Sequence, residues 1–251
     1  MSKRQEIREK QHRQERNQRI LLIVGVVIVG LAIAGIMILS TLPRAVGKIF
    51  TPAAVTRSQV NMNMMGNPNA PVKVIEYADF QCPFCLHFFK DTEAQIIAAY
   101  VNTGKVYFEY HPVVIVGAES ARAAEGAYCA GDQGKFWEMH DILYANQGAE
   151  NSGALNDNRI KDLADYIKLD MTKFNECFNN GKYKDKVAQG NQEAIKNIHA
   201  APNFAEIVSK TGYTSEGLST PTFLINGAML PGAGSFADFQ KFIDAALAAG
   251  K

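Results

Sequence analysis

Residues 20–39, ILLIVGVVIVGLAIAGIMIL, form an unbroken apolar run with no charged side chain. At ~1.5 Å per residue, a helix of that length spans roughly the 30 Å hydrocarbon core of a bilayer. A buried helix of a globular domain would show polar positions at helical spacing, so the run predicts a transmembrane helix. Over residues 40–68 all periodicity is lost. Pro43, Pro52, Met62, Met64, Met65 and the start of an Asn/Gly/Pro cluster read as a linker.

From residue 69 onward the pattern becomes that of a folded domain. Residues 72–78 (VKVIEYA) predict a buried strand and 106–111 (VYFEYH) a second one. Between them, Leu86, Phe89, Ile96, Ile97 and Tyr100 recur at three-to-four spacing, and Gly104 stops the helix. This strand–helix–strand order implies two parallel strands with a right-handed crossover. A helical block follows over about 118–213. Phe136, His140 and Leu143 share one stripe, and Ile160, Leu163, Ala164 and Ile167 another. Asp170 caps a helix carrying Met171, Phe174 and Phe178, with Gly181 as its stop. Strands return at 221–225 (PTFLI) and 228–230, joined by the hairpin signal Asn226-Gly227. Ser235 to Asp238 resembles a capping box ahead of a last helix with Phe239, Ile243, Ala246 and Leu247. The fold class is α/β: one domain over 69–250, with a helical subdomain inserted between the two halves of its sheet.

Charge assigns these parts to compartments. The chain's net charge of +1 conceals a basic tail, residues 1–19, with seven Lys/Arg against three Glu. Only Arg44, Lys48 and Arg57 are basic between residues 40 and 71. The positive-inside rule therefore puts the tail in the cytoplasm and the domain outside a single-pass cell membrane. A cleavable signal peptide is the alternative, but its apolar region is usually about 7–15 residues long. Residues 72–251 hold 16 basic and 22 acidic side chains, so no basic face suits nucleic acid. With 47% apolar residues the chain can bury a sizeable core, which excludes global disorder.

Cys82-Pro83-Phe84-Cys85 falls where the first strand ends and the helix begins. Unpaired N–H groups and the helix dipole there favour a thiolate at Cys82 over the free thiol of pKa ~8.5. Cys85, one turn on, suits a resolving thiol, and Pro83 fits the first helical turn. Half of a zinc site or a structural disulfide would use the same spacing. No second CxxC or paired His supplies the missing zinc ligands, so no metal and no other cofactor is expected. Cys129 and Cys177 remain, on two helices of the insertion. In an extracytoplasmic domain such a pair is expected to bond, giving one of three possible connectivities. His87, His111 and His140 read as packing or surface residues, and Trp137 as core.

GNPNAPVKVIEYADFQCPFC, followed by the late STPTFLING, resembles the DsbA-type thiol–disulfide oxidoreductases of the thioredoxin superfamily. The resemblance runs from about residue 66 to 249. It implies a thioredoxin-like mixed sheet of four or five strands, capped at the active site by the helical insertion. It also implies a cis bond at Pro221 that presents the Thr220 backbone beside Cys82 for a substrate strand. Without it, Pro221 would read as an ordinary strand-starting proline. Glu76, an acid inside a buried strand, becomes in this reading the proton acceptor for Cys85, rather than a carboxylate paired with Lys. The sequence departs from the best-known members at Phe84, where they carry His. Phe84 lends no charge to Cys82, which predicts a milder oxidant than one with a thiol pKa of ~3.5, and it offers an apolar platform to unfolded substrates.

The expected activity is therefore to introduce or exchange disulfides in exported, reduced or unfolded bacterial proteins. A membrane quinone-linked thiol oxidase of the DsbB or VKOR type is the implied redox partner. A reductase or isomerase using the same pair, or a tethered chaperone-like binding module, are the alternatives.

Overall fold

The computed structural model describes residues 47–213 and 217–250, with six helical positions between Leu22 and Leu31. The chain forms two units, Met1–Gly47 and Lys48–Lys251. The expected membrane span at 20–39 lies outside the described residues, apart from those six positions. Among the described residues no helix is long and apolar enough to cross a membrane.

Among the described residues of the second unit, five strands form one mixed sheet in the order β1-β3-β2-β4-β5. β2 (Val72–Ala78) and β3 (Val106–Pro112) run parallel, with Val72 opposite Val106 and Ala78 opposite Pro112. β4 (Thr222–Ile225) pairs antiparallel with β2, and β5 (Ala228–Pro231) pairs antiparallel with β4. Asn226 and Gly227 both take positive φ, 46° and 86°, as a two-residue hairpin turn requires. β1 (Met64–Met65) adds a short antiparallel edge to β3.

The crossover between β2 and β3 is helix α1, over 83–101. It alternates α-helical turns (Pro83–Phe88, Ala94–Ile96) with π-helical ones (Phe89–Glu93, Ile97–Val101). The insertion comprises α2 (Ala118–Gly131), α3 (Phe136–Ala145), α4 (Asp157–Tyr166), α5 (Met171–Asn179), α6 (Lys184–His199) and α7 (Phe204–Thr211). Asp170 caps α5 through the N–H groups of Thr172 and Lys173. Helix α8 (Phe236–Ala249) starts at Ser235 with a complete capping box to Asp238.

Strand alternation gives the sheet two different faces. Val72, Val74, Phe108, Tyr110, Phe223 and Ile225 join the main core with α1 to α5 and α8. Tyr77, Leu224 and Met229 point the other way, into a smaller core with Ala194 and Ile198 of α6. Because Glu76 shares the phase of Val72 and Val74, its carboxyl enters the main core. Cys129 of α2 and Cys177 of α5 are joined by a disulfide that closes 48 residues of chain.

The stretch expected as a linker at 40–68 is corrected by the structure. From Lys48 onward it belongs to the domain. Asn146 holds Phe50 through both backbone groups, at 2.9 and 2.8 Å. Arg57 is buried against Glu93 and Asp141, and Met65 is fully buried. Gly66 has φ +92°, and a Cβ there would come within 2.5 Å of the Val106 carbonyl oxygen, so this turn requires glycine. These ties are single side-chain contacts with distant residues and leave no periodic trace in the local sequence.

Candidate active site

β2 ends at Ala78, and a tight turn delivers the chain to Cys82, the N-cap residue of α1. Asp79 fixes this turn. Its buried carboxylate accepts the N–H of Gln81 at 2.8 Å, and those of Ile115 and Val116 at 2.7 and 2.9 Å. Its carbonyl accepts the Cys82 N–H at 3.0 Å. From the helical insertion, Gln147 Nε2 donates to the carbonyls of Phe80 and Cys82, at 2.7 and 3.1 Å. Both the sheet and the insertion therefore hold the cysteine pair in place.

Cys82 and Cys85 are free thiols in this structure. Cys82 retains 7% of its surface and Cys85 1%. The Thr220–Pro221 bond is cis, and the Thr220 carbonyl oxygen accepts from Cys82 Sγ at 3.3 Å. Pro221 is buried, Thr220 is half-buried, and Pro83 and Phe84 are exposed, Phe84 at 66%. The backbone before Pro221 thus lies beside the more accessible sulfur, with an aromatic platform next to it. An extended peptide can pair with that backbone while its own sulfur approaches Cys82.

The two thiols differ in acidity. The Cys85 hydrogen bond is the largest influence on Cys82. Burial opposes it, and hydrogen bonds from Thr220 and the backbone of Cys85 and Phe84 assist, lowering the Cys82 pKa to about 6. Burial pushes the Cys85 thiol well above its ordinary value, reinforced by the hydrogen bond to Cys82 and the charges of Cys82 and Glu76. Cys82 is therefore the more acidic of the two thiols, and Cys85 is the one that resists ionisation. With Phe84 between them, the shift at Cys82 is milder than the pKa of ~3.5 of the strongest oxidants.

Glu76 retains 2% of its surface, and its Oε2 has no hydrogen-bond partner. Burial raises its pKa well above the carboxylate range, and the charge of Glu93 adds to the effect. Among the described residues no lysine pairs with it. Glu76 is a buried carboxyl whose charge acts on the Cys85 thiol.

Sequence reasoning missed Asp79, Gln147 and a second buried polar group around Glu93. Arg57 donates to Asp141 through both terminal nitrogens, each at 2.8 Å, and to Glu93 Oε1 at 3.1 Å. His140 Nδ1 lies 2.9 Å from Asp141 Oδ1. Glu93, His140 and Asp141 could together supply three metal-ligand atoms, but the Arg57 guanidinium already fills the cation's place. Glu93 left one signal in the sequence: it sits on the apolar stripe of Leu86, Phe89, Ile96 and Tyr100 at helical spacing.

A family model described as Thioredoxin matches residues 58–245. The Na(+)/H(+) antiporter NhaA 1 of Salinispora arenicola is 32% identical over 165 residues, 66% of this chain, and the match spans 22% of that protein's length. The probable disulfide bond formation protein D of Bacillus cereus is 26% identical over 164 residues, covering 63% of this chain and 72% of that protein. Among solved structures, oxidised BdbD from Bacillus subtilis superposes with a TM-score of 0.59 at 20% identity, over 78% of this chain and 98% of that one.

Proposed function

The chain belongs to the thioredoxin family, and from that premise we propose that it is a DsbA-like thiol–disulfide oxidoreductase working in the oxidising direction. The observation that carries this reading is the asymmetry of its cysteine pair. Cys82, with a pKa of about 6, sits beside the cis Thr220–Pro221 backbone, while Cys85 is buried and held protonated. The likeness to a disulfide bond formation protein supports the same chemistry.

In the oxidising cycle, a substrate thiolate attacks Cys82 Sγ of the Cys82–Cys85 disulfide. A sulfur–sulfur bond to substrate forms as the Cys82–Cys85 bond breaks. The electron pair moves to Cys85 Sγ, which takes a proton from Glu76. A second substrate thiolate then attacks the substrate sulfur of the mixed disulfide and expels Cys82 as a thiolate. The substrate leaves oxidised by two electrons, and the enzyme pair is reduced by two. The low pKa of Cys82 makes it a good leaving group in that last step. Reoxidation needs an external disulfide or a quinone-linked membrane thiol oxidase.

Exported proteins with reduced cysteines are the substrates in this reading, and the run at 20–39 anchors the domain outside the cell membrane. Membranes from cells producing the full chain, washed with alkaline carbonate, should retain it; release into the wash would contradict the anchor. The activity itself is tested by incubating the oxidised full chain with a reduced, disulfide-containing protein. Stoichiometric substrate oxidation with loss of the Cys82–Cys85 bond is the expected result.

A further inference from the structure

We propose that the hydroxyls of Tyr213 and Thr222 are positioning groups for substrate. They clamp both backbone groups of Ser219, so that the N–H and C=O of Thr220 face an extended, cysteine-containing peptide at Cys82. This role rests on the thiol–disulfide reading above and names what steadies the backbone which that reading offers to substrate.

The backbone groups of residues 219–221 can be followed one by one. Ser219 N–H donates to Tyr213 Oη at 3.3 Å, and Ser219 C=O accepts from Thr222 Oγ1 at 2.7 Å. Pro221 has no N–H, and its C=O accepts from Gly232 N–H at 2.8 Å. Thr220 C=O accepts from Cys82 Sγ at 3.3 Å. Thr220 N–H has no partner among the described residues. The open donor of this segment belongs to the residue that faces the reactive sulfur.

Successive residues of an extended backbone turn their N–H and C=O groups to opposite edges. Fastening both groups of Ser219 on one edge turns those of Thr220 to the other. In a paired strand, two facing residues exchange both N–H···O=C bonds. The oxidised enzyme offers such a pair. Once Cys82 Sγ is bonded to Cys85 it carries no proton, so Thr220 C=O is open as well as Thr220 N–H. One substrate residue beside the attacking cysteine can fill both. The contact reads backbone and not side chains, which suits an enzyme that oxidises proteins of differing sequence.

Both hydroxyls stand on anchored parts of the fold. Thr222 is the first residue of β4, fully buried and opposite Tyr77 of β2. Tyr213 follows α7, which closes at Gly212 with φ +70°, and its N–H donates to Thr211 Oγ1 at 3.2 Å. Its ring meets Phe204 edge-on, 6.4 Å between centroids, at the margin of the smaller core, where Leu218 also packs. The insertion and the sheet each hold one backbone group of Ser219. Ser219 itself is exposed, so water could satisfy those groups equally well. What the hydroxyls add is a fixed direction for the neighbouring residue.

The same exposure makes the clamp separable from the fold. Thr222→Val keeps the β-branched shape at a buried strand position, and Tyr213→Phe keeps the ring. Neither change leaves a buried backbone group unpaired, because the groups released on Ser219 turn to water. Dithiothreitol carries no amide and makes no use of Thr220, so the clamp bears on peptide substrates and not on a small dithiol.

The test reduces the oxidised full chain with a cysteine-containing peptide and, separately, with dithiothreitol, and follows the Cys82–Cys85 pair by quenched-flow alkylation. In Thr222→Val and in Tyr213→Phe the rate constant with the peptide should fall about tenfold, the scale of one lost hydrogen bond. The rate constant with dithiothreitol should stay at the wild-type value. Thr222→Ser, which keeps the hydroxyl, should restore the peptide rate. An undiminished peptide rate in either hydroxyl-free variant, equal losses with both reductants, or a Thr222→Ser chain no faster than Thr222→Val overturns the clamp. Should the variants fail to fold, hydrogen exchange decides. In the mixed disulfide between the peptide and a Cys85→Ala chain, the Thr220 amide should gain at least about tenfold protection; an amide that exchanges as fast as in the free chain overturns the inference. If the wild type is reduced by neither reagent, the underlying reading fails instead.

Discussion

Replacing Cys82 by serine should abolish thiol–disulfide exchange, lowering the rate of substrate oxidation by at least about a thousandfold while leaving the fold intact. A serine hydroxyl is not ionised at neutral pH, whereas the thiol it replaces titrates at about 6. Cys85 cannot take over. It keeps only 1% of its surface, and its pKa is pushed well above the ordinary thiol by burial first and by the hydrogen bond to Cys82 second. Nor is it the sulfur beside the Thr220 carbonyl. The exchange is near isosteric and sits at a helix N-cap, where serine is favoured, so circular dichroism and melting temperature should change little. Substrate oxidation by Cys82→Ser above about a tenth of the wild-type rate would show that another group carries the reaction.

The largest expected effect on stability comes from the other cysteine pair. The doubly substituted chain, Cys129→Ala with Cys177→Ala, should lose about 4 kcal/mol, because the bond closes 48 residues of chain in the unfolded state. For a domain of this size that corresponds to a fall of about 8–16 °C in melting temperature. The bond joins α2 to α5 within the insertion, and Gln147, which braces the Phe80–Cys82 turn, belongs to the same insertion. Exchange at 25 °C should persist and be lost at a lower temperature than in the wild type. Calorimetry of both chains checks this; equal melting temperatures would mean the bond contributes nothing to the fold.

The parts of this molecule that rest on local chemistry were legible in the sequence. The Asn226-Gly227 turn, the Ser235 capping box and the Asp170 cap each need only a few adjacent residues, and each occupies its expected place. The strand–helix–strand start, the insertion and the mixed sheet followed from periodicity and from the resemblance carried by the CPFC and STPTFLING segments. What stayed hidden depends on distant partners. Arg57 looks like a linker residue until α1 and α3 bring Glu93 and Asp141 to it. Met65 becomes core only because β3 offers an edge to a two-residue strand, too short to show alternation. Asp79 and Gln147 hold the cysteine turn through backbone groups, which leave no mark in side-chain pattern. His140 read as a packing residue and does pack, among five rings, yet its unpartnered nitrogen shows only in three dimensions. Glu93 was half visible, as an acid on an apolar stripe.

The identity of the residue at Phe84 links sequence to redox strength. Without a histidine between the cysteines, the thiolate at Cys82 relies on Cys85, Thr220 and the helix N-terminus, and its pKa settles near 6. That value lies between the ~7 of thioredoxin and the ~3.5 of the strongest oxidant, whose potentials are about −270 and −120 mV. The most direct test is the reduction potential of the Cys82–Cys85 couple in the full chain, measured by equilibration with glutathione buffers at pH 7. A value between those two limits is predicted, on the oxidising side of about −230 mV. A value below about −300 mV would place the pair among inert structural disulfides and contradict the account.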